Sequence, residues 1–329
     1  MNPLAKKLLN WYQQNGRDLP WRIKGGAHHD AYAVWISEIM LQQTTVKTVL
    51  DYFDKWMKRF PSLYTLAQAD ISDVLLMWQG LGYYTRAKKI HECANVLIEK
   101  YNGHFPQNRN ELLKLPGIGP YTASSICAFA FNMPETVVDG NVIRVIARLY
   151  GITDEINRDT IYRLASELTP QKHAADYASA IMDLGATVCT PSSPKCLLCP
   201  WTEKCIAYKK GITDKIPNIK KPEKQKRNGT LYLIQNKDGA YYIQKRDGKG
   251  LLSGLYEFPW HYDDEPTYSG QWQPTNKIIT HTFTHFHLTL RILKGHHESG
   301  IRPDGIFVNS SELKNYPFPT LMKKVIKDL

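Results

Sequence analysis

The spacing of apolar residues changes once along this chain. Before residue 209, apolar residues recur at the spacing of amphipathic helices. After residue 228, segments such as Thr230–Gln235 alternate apolar and polar residues, which is typical of strands with one buried face. The chain has 329 residues, and a single core rarely keeps growing beyond about 250–300 residues. We therefore predict two domains, a mainly α domain followed by an α+β domain.

The first domain, residues 1–208, is predicted to be mainly helical. Glycine and proline interrupt its apolar pattern at Gly80–Gly82, Phe105-Pro106 and Pro116–Pro120. Helical spacing is found in the segments Leu4–Tyr12, Tyr32–Leu41, Val46–Phe60, Val74–Trp78, Ala87–Glu99, Thr122–Phe131, Val142–Tyr150 and Ile161–Leu168.

Residues 209–228 are predicted to be a linker, because Lys209–Arg227 contains eight basic residues, two acidic ones and few large apolar ones. The α+β domain then covers residues 229–329. Asp238-Gly239 between Thr230–Gln235 and Ala240–Lys245 predicts a hairpin. Ile278–Ile292 is predicted to be a strand, and Pro319–Leu329 a closing helix.

Net charge and composition restrict the partners and the compartment. The formal charge of +11 is compatible with a polyanionic partner, because lysine and arginine displace counterions from phosphates. No apolar run reaches the length that spans a bilayer, and the N-terminus lacks the apolar stretch of a secretory signal. We expect a monomeric cytoplasmic protein, nucleoid-associated if bacterial, that binds no membrane and contains no disulfide.

Four of the six cysteines lie close together, at Cys189, Cys196, Cys199 and Cys205. Four thiolates in one short loop can hold one metal centre, and thiolates are the ligands of [4Fe–4S] clusters. Zinc is the competing metal, but structural zinc sites usually contain two close cysteine pairs, and this loop has a single C-x2-C. The spacing favours the cluster over zinc.

The segment Leu115-Pro116-Gly117-Ile118-Gly119-Pro120 connects two helical runs within residues 111–131. Glycines let a backbone approach a ligand closely, and the amides at the start of the second helix suit a phosphate. The alternative is an ordinary corner in which glycine ends one helix and proline begins the next. Two glycines one residue apart favour a helix–hairpin–helix contact with DNA.

Two carboxylates are candidates for chemistry. Glu38 points away from the apolar stripe of its predicted helix, as a solvent-facing glutamate also would. Asp139 occupies the N-cap position of the helix that follows it, a position often only structural. Backbone N–H groups there favour the ionised form. One carboxyl that holds a proton and one that stays anionic form the pair that glycosidic cleavage requires.

The region from Leu19 to Cys205 resembles the endonuclease III superfamily of helix–hairpin–helix, iron–sulfur DNA glycosylases, and within it the MutY-type adenine DNA glycosylases. The hairpin and the four cysteines belong to this resemblance. The other matching stretches are Leu19–Arg22, Ser37–Thr44, Gly80–Tyr84, Val138–Val142 and Met182–Ala186.

The resemblance implies catalytic roles in removing adenine paired with 8-oxoguanine or guanine in double-stranded DNA. Glu38 would protonate adenine N7 and help to activate water, and Asp139 would stabilise the oxocarbenium-like sugar electrostatically or bond to it briefly. Asn141 and Tyr121 would orient groups around that centre. Lyase-competent relatives have a lysine where this chain has Tyr121, so the resemblance implies a monofunctional enzyme that leaves an abasic site.

The resemblance also implies DNA-binding roles. Gln43 and Tyr83 would fill the space left by the extruded base, and Trp21 and Arg22 would line the adenine pocket. Gly117 and Gly119 would contact the backbone, and the cysteine loop would present Lys195 and Lys204 to phosphates. The segment Gly25–His29 is longer than the family pattern, and we predict a surface loop there.

The second domain resembles the Nudix-like domain with which such enzymes read 8-oxoguanine. Leu252–Pro259 fits that domain, and Phe283, Thr284 and His285 match its lesion-reading Phe-Ser-His loop except that threonine replaces serine. The metal-binding Arg-Glu-x-x-Glu-Glu helix of Nudix hydrolases is absent from the sequence, so we expect no pyrophosphohydrolase activity. Two alternatives remain: a glycosylase acting on T:G mismatches or oxidised pyrimidines, and a non-catalytic iron–sulfur DNA-binding module.

Overall fold

The computed structural model of the protein describes residues 1–23, 30–218, 223–246, 250–263, 268–299, 301–327 and 329. The predicted loop Gly25–His29 and linker residues 219–222 lie outside these ranges. The chain divides into two compact units. The first unit comprises Met1–Ala67 and Glu92–Lys220, and the second comprises Gln68–His91 and Lys221–Leu329.

The part of the chain before residue 210 is helical, as its apolar spacing predicts. Its helices are α1 (Pro3–Asn15), α2 (Ala31–Leu41), α3 (Val46–Arg59), α4 (Leu63–Ala67), α5 (Ile71–Met77), α6 (Thr85–Tyr101), α7 (Arg109–Leu112), α8 (Pro120–Phe131), α9 (Gly140–Tyr150), α10 (Arg158–Ser166), α11 (Ala174–Thr187) and α12 (Ile206–Lys209).

Side-chain caps define where several of these helices begin. Asp30 and Asp70 accept backbone N–H bonds at the starts of α2 and α5, which satisfies amides that a helix start leaves unpaired. Helix α11 was missed by the apolar spacing. Its sequence AADYASAIMDLGAT is rich in small residues, and Ala174–Gly185 is buried on nearly every side. A helix surrounded by protein shows no amphipathic stripe.

The core of the first unit lies around α2, α8 and α11. Helix α2 packs on α8, and α11 packs on α1, α8 and α9. Most of α2 is buried, including Trp35 and Ile36, and the polar Ser37 and Glu38 are buried with them. The solvent-facing alternative for Glu38 is therefore wrong.

The second unit includes helix α5 and the start of α6, and its C-terminal part contains two sheets and a short helix. One sheet has the strand order β4-β1-β6-β5, with β1 parallel to β6, and the other has the order β3-β2-β7. The elements of this C-terminal part are β1 (Gln225–Ile234), β2 (Tyr241–Lys245), β3 (Tyr256–Glu257), β4 (Trp260–Tyr262), β5 (Ser269–Thr282), β6 (Phe286–Ser299), β7 (Ile306–Val308) and α13 (Thr320–Ile326). Leu231, Ile243 and Phe258 pack with Leu290 and Leu321 in its core.

Two strand predictions need correction. The predicted hairpin around Asp238-Gly239 is reduced to one bridge, Gln235 to Tyr241, after which β1 and β2 enter different sheets. The predicted strand Ile278–Ile292 is two antiparallel strands, β5 and β6, joined by a turn at residues 283–285. Alternation identifies a buried face, but it does not show where a chain reverses.

No helix in the described part of the chain is both long and apolar enough to cross a bilayer.

Candidate active site

The first unit contains a cleft of about 760 Å³, which we call the first cavity. Residues from the C-terminal end of α2, the N-terminal ends of α8 and α9 and one face of α11 line it. Six of the predicted site residues are among them: Arg22, Glu38, Gln43, Tyr121, Asp139 and Asn141. The cavity thus brings together residues that are up to about 120 positions apart in the sequence.

Glu38 lies in the last turn of α2 and is only 6% exposed. The Tyr121 hydroxyl donates a hydrogen bond of 2.8 Å to its Oε2. Burial, with a smaller contribution from the charge of Asp139, raises the pKa of Glu38 to about 7, although the Tyr121 hydrogen bond and the charge of Arg22 oppose the rise. This carboxyl can therefore hold a proton near neutral pH and release it into the cavity.

Asp139 occupies the N-cap of α9, as predicted. Its Oδ1 accepts a 2.7 Å bond from the Val142 amide, and its Oδ2 accepts a 2.8 Å bond from the Asn141 side chain. These bonds fix the carboxylate orientation at the positive end of the helix. Glu38 and Asp139 are electrostatically coupled within the same cavity.

Arg144, which the sequence reasoning missed, connects α9 to the rest of the site. Its Nη2 donates to the Asn141 side chain at 2.8 Å and to the Gly185 carbonyl at 2.7 Å, and its Nε donates to the Cys189 carbonyl at 2.7 Å. Gly185 has to be small, because a Cβ there would lie 2.6 Å from Asn141 Cβ. The matched stretch Met182–Ala186 was the sequence signal for this contact.

Asp183 was also missed, and it is fully buried. It accepts bonds from the Arg17 amide at 2.8 Å, from Arg17 Nη2 at 2.6 Å and from Arg22 Nη1 at 2.8 Å. Burial by itself would raise the pKa of Asp183, but Arg22 and Arg17 outweigh it and lower that pKa. The anion holds both guanidinium groups at the wall of the first cavity.

Trp21 lies apart from this arrangement. Its ring is 5% exposed and packs edge-on against Phe53 at a centroid distance of 5.1 Å. The described residues that line the first cavity include its neighbour Arg22 but not Trp21. Its expected place in an adenine pocket stays a prediction.

The hairpin between α7 and α8 contains both predicted glycines. Gly117 has a φ of +76°, a conformation that favours glycine. Gly119 is the N-cap of α8 and provides no side-chain cap. Since a Cβ at Gly119 would meet nothing within 4 Å, the fold itself does not require glycine there. The missing side chain leaves the α8 amides open to a ligand such as phosphate.

The four loop cysteines are free and partly buried. The Arg148 Nη1 donates to Cys189 Sγ at 3.4 Å, and the Trp201 amide donates to Cys199 Sγ at 3.4 Å. Burial, with smaller contributions from Cys189, Cys205 and Cys196, raises the pKa of Cys199 to about 12. Metal binding would therefore release protons.

The donor set of this loop bears on the group that it could hold. Among the described residues, no three or more His, Cys, Asp or Glu side chains form a preformed metal site. Four thiols on one loop, two of them accepting N–H bonds, are a donor set that fits a [4Fe–4S] cluster.

The second unit has its own cavity of about 420 Å³, which we call the second cavity. The turn Gly80–Thr85, the loop Gly250–Ser253 and the segment His281–Phe286 line it, so Tyr83, Phe283, Thr284 and His285 lie together. The hydroxyls of Tyr83 and Thr284 are hydrogen-bonded to each other. Phe283 is half-buried against Phe286, while Thr284 and His285 are exposed at the turn between β5 and β6.

Gln43 and Tyr83 share an unusual backbone conformation. Gln43, at the first cavity, has a φ of +64°, and Tyr83, at the second cavity, has a φ of +47°. Non-glycine residues in this region are uncommon, and such strain is concentrated at functional sites. Both side chains are exposed. The predicted wedge residues are therefore presented by tight turns.

Both parts of the chain are similar to known protein families. Residues 36–171 match the family described as HhH-GPD superfamily base excision DNA repair protein, and residues 230–328 match the NUDIX domain. The chain is 36% identical over 328 residues to the adenine DNA glycosylase of Buchnera aphidicola subsp. Schizaphis graminum, covering 95% of this chain and 89% of that protein. It is 33% identical to the adenine DNA glycosylase of Rattus norvegicus, covering 98% of this chain and 77% of that protein.

Solved structures of DNA glycosylases are similar to about two thirds of this chain. A thermostable thymine-DNA glycosylase aligns with a TM-score of 0.57 and 31% identity, covering 63% of this chain and 95% of that chain. A non-covalent endonuclease III–DNA complex aligns with a TM-score of 0.54 and 23% identity, covering 63% of this chain and 94% of that chain, which shows a shared fold.

Proposed function

Because this chain belongs to the HhH-GPD superfamily of base excision DNA repair proteins, and within it to the adenine DNA glycosylases, we propose that it excises adenine paired with 8-oxoguanine or guanine. It is a hydrolase of N-glycosyl bonds. Duplex DNA is its partner. The observation that carries the mechanism is that a protonatable Glu38 and the capped Asp139 line one cavity.

The proposed reaction uses the two carboxyl groups in sequence. Protonated Glu38 donates its proton to adenine N7, so the C1′–N9 bond breaks with its electron pair moving into the purine. The cation left at C1′ is stabilised by the Asp139 carboxylate, which Asn141 and the Val142 amide orient. A water then attacks C1′ and gives a proton to the Glu38 carboxylate, which restores the acid.

Supporting residues hold this pair in place. Tyr121 bonds Glu38, and Asp183 fixes Arg22, whose positive charge opposes the rise in the pKa of Glu38. We assign Arg22 to the wall that receives the extruded adenine. Gly117 and Gly119 would approach the DNA backbone, and Gln43 would enter the space that the base leaves.

We propose that the enzyme is monofunctional. Strand cleavage by a glycosylase needs an amine that forms a Schiff base with the opened sugar, and Tyr121 occupies the hairpin position at which lyase-competent relatives have lysine. The nearest upstream lysine, Lys114, is exposed and paired with Glu111 at 2.6 Å. An abasic site is therefore the expected product.

We assign reading of the opposite base to the second domain, residues 229–329, together with Tyr83. The aromatic and hydroxyl groups of Tyr83, Phe283 and Thr284 suit stacking and hydrogen bonding with a purine. His285 adds a further polar group at the same turn. Thr284 has one methyl group more than serine, but its hydroxyl can donate and accept hydrogen bonds in the same way.

Cys189, Cys196, Cys199 and Cys205 would hold a [4Fe–4S] cluster, the type of group that the endonuclease III fold typically carries. When bound, the cluster provides a cross-link that orders the loop and could exchange electrons. Arg148 and the Trp201 amide direct N–H groups at two of the sulfurs. Lys195 and Lys204 on the same loop would then face phosphates. Iron and zinc analysis with visible absorbance tests the assignment.

A glycosylase assay on four duplexes tests the proposed substrate. The duplexes contain A:8-oxoguanine, A:G, T:G and thymine glycol, and each is analysed with and without alkali, which cleaves abasic sites. We expect excision from the first two, strand breaks only after alkali, and excision at least about a thousandfold slower with Glu38→Gln. Removal of thymine would contradict the proposed substrate and would indicate an activity like that of the thymine-DNA glycosylase whose structure is similar. Sedimentation of the protein tests the expected monomer.

A further inference from the structure

Tyr83 has a backbone conformation that a residue with a bulky side chain does not favour. Tyr83 has a φ of +47° and is 46% exposed. A bulky aromatic residue rarely occupies the left-handed region, and it stays there only where its surroundings determine the backbone. Some neighbouring group must therefore hold this turn.

Arg86 contacts the turn from two directions. Its Nη2 donates to the carbonyls of Leu81 at 3.1 Å and Gly82 at 3.2 Å, the two residues directly before Tyr83. Its guanidinium carbon lies 5.5 Å from the centre of the Tyr83 ring. One planar cation thus bonds the backbone of the turn and stacks on the side chain that the turn presents.

Trp78 contacts both Arg86 and the backbone of the turn. The Arg86 guanidinium carbon lies 5.2 Å from the centre of the Trp78 ring, which is fully buried. The Trp78 Nε1 donates to the same Gly82 carbonyl at 3.0 Å. Burial lowers the pKa of Arg86 to about 10, so the group is charged at neutral pH and its carbonyl bonds are charge-assisted.

We propose that Arg86 is a positioning residue that preforms the left-handed Tyr83 turn and directs the Tyr83 phenol toward Thr284 before DNA binds. The inference rests on the proposed function, because it assumes that Tyr83 reads the mismatch. Preforming the turn removes an ordering cost from binding. Loss of Arg86 should therefore weaken recognition of 8-oxoguanine and leave the chemical step at the first cavity unaffected.

A double-mutant cycle separates action through Tyr83 from a general structural role. The full-length protein carrying Glu38→Gln is titrated with duplexes containing A:8-oxoguanine and A:G. The measured ratio is the dissociation constant for A:G divided by that for A:8-oxoguanine, so a larger ratio means stronger preference for 8-oxoguanine. Arg86→Met, Tyr83→Ala and the combination complete the cycle. We expect each single change to reduce the ratio about tenfold, equivalent to about 1.4 kcal/mol. The double variant should lose no more than Tyr83→Ala alone.

Two further variants keep the test decisive. Arg86→Lys keeps the charge but loses the planar fork, so we expect an intermediate ratio, and it replaces Arg86→Met if that protein unfolds. Arg59→Met is the matched control, because Arg59 also stacks on an aromatic ring, 5.3 Å from the centre of Phe60, and is not among the described residues lining either cavity.

The outcomes are distinguishable. If Arg86→Met reduces the ratio as strongly in the Tyr83→Ala background as alone, Arg86 does not act through Tyr83 and the inference is wrong. If Tyr83→Ala itself leaves the ratio unchanged, Tyr83 does not recognise the mismatch, and the proposed function of the second cavity is wrong. With Glu38 restored, single-turnover excision at saturating protein should match the wild-type rate for Arg86→Met. A slower rate there would also overturn the positioning role.

Discussion

The two cavities hold their functional groups in different ways. In the first cavity, Glu38 and Asp139 are carried by helices α2 and α9, and hydrogen bonds from Tyr121 and Asn141 fix them. In the second cavity, Tyr83 and Thr284 are carried by turns and are exposed. Burial raises the pKa of Glu38 in the first cavity, whereas stacking and hydroxyl contacts define the second.

This difference suggests a division between chemistry and recognition. Proton transfer depends on a group whose pKa and position are fixed, and a rigid helical framework provides both. Recognition of a base needs surfaces that can contact it as it enters, and turns provide them. Changes in the first cavity should therefore alter the excision rate, and changes in the second should alter affinity and discrimination.

Replacing Glu38 should have the largest effect. Glu38→Gln removes the proton that leaves with adenine, and general acid catalysis contributes up to about 10⁴-fold. We expect single-turnover excision to fall at least about a thousandfold, while binding to the A:8-oxoguanine duplex changes little. Single-turnover kinetics measure the excision rate, and a binding titration measures the affinity for the duplex. Full activity in this variant would remove the acid from the mechanism.

Asp139→Asn should have the next largest effect, and it tests the charge alone. Asparagine caps a helix as well as aspartate does, so α9 should still begin at Gly140. Loss of the carboxylate should slow excision by about 10²–10³-fold at unchanged thermal stability. Asp70→Asn is the matched control, since Asp70 caps α5 and is not among the described residues of the first cavity. Equal rates for the two variants would contradict the proposed role.

Tyr121→Phe should shift the pH dependence more than the maximal rate. The protonated form of Glu38 is the active acid, so excision should decline as pH rises through about 7. The Tyr121 hydrogen bond stabilises the charged carboxylate and lowers this pKa. Its removal should therefore raise the pKa of Glu38 and move the declining limb to higher pH. The ratio of rates at pH 8 and pH 6 measures the shift.

A second buried tyrosine offers a control for this experiment. The Tyr177 hydroxyl has no hydrogen-bond partner among the described residues, and Tyr177 is not among the described residues that line the first cavity. Tyr177→Phe should leave the pH profile unchanged and should not destabilise the protein. A limb that moves to lower pH in Tyr121→Phe would show that the hydroxyl does not hold the anion.

The first cavity could be predicted from the sequence better than the second. Glu38 and Asp139 are candidate carboxylates from the residues alone, Asn141 and Tyr121 follow from the resemblance to the family, and the structure places all four together. The N-cap position of Asp139 followed from the apolar helix behind it. The burial of Glu38 could not be predicted from helical spacing, because a solvent-facing glutamate would have the same spacing.

Long-range contacts and chain reversals could not be predicted in this way. Arg144 and Asp183 are ordinary charged residues until α9 and α11 pack together, and only then do they bond Asn141 and Arg22. The turn at residues 283–285 was read as part of a strand because both flanking segments alternate. Neither packing partners nor a reversal leaves a periodic signal.

The smallest expected effect concerns Thr284, whose hydroxyl bonds that of Tyr83. Thr284→Val keeps the shape and removes the hydroxyl, so affinity for the A:8-oxoguanine duplex should fall about three- to tenfold, the contribution of one hydrogen bond. Thr284→Ser keeps the hydroxyl and removes only an exposed methyl, so affinity should stay within about twofold. Excision from the saturated complex should be unchanged in both variants. If valine and serine behaved alike, the hydroxyl would have no part in recognition, and the second cavity would read the base through its aromatic rings alone.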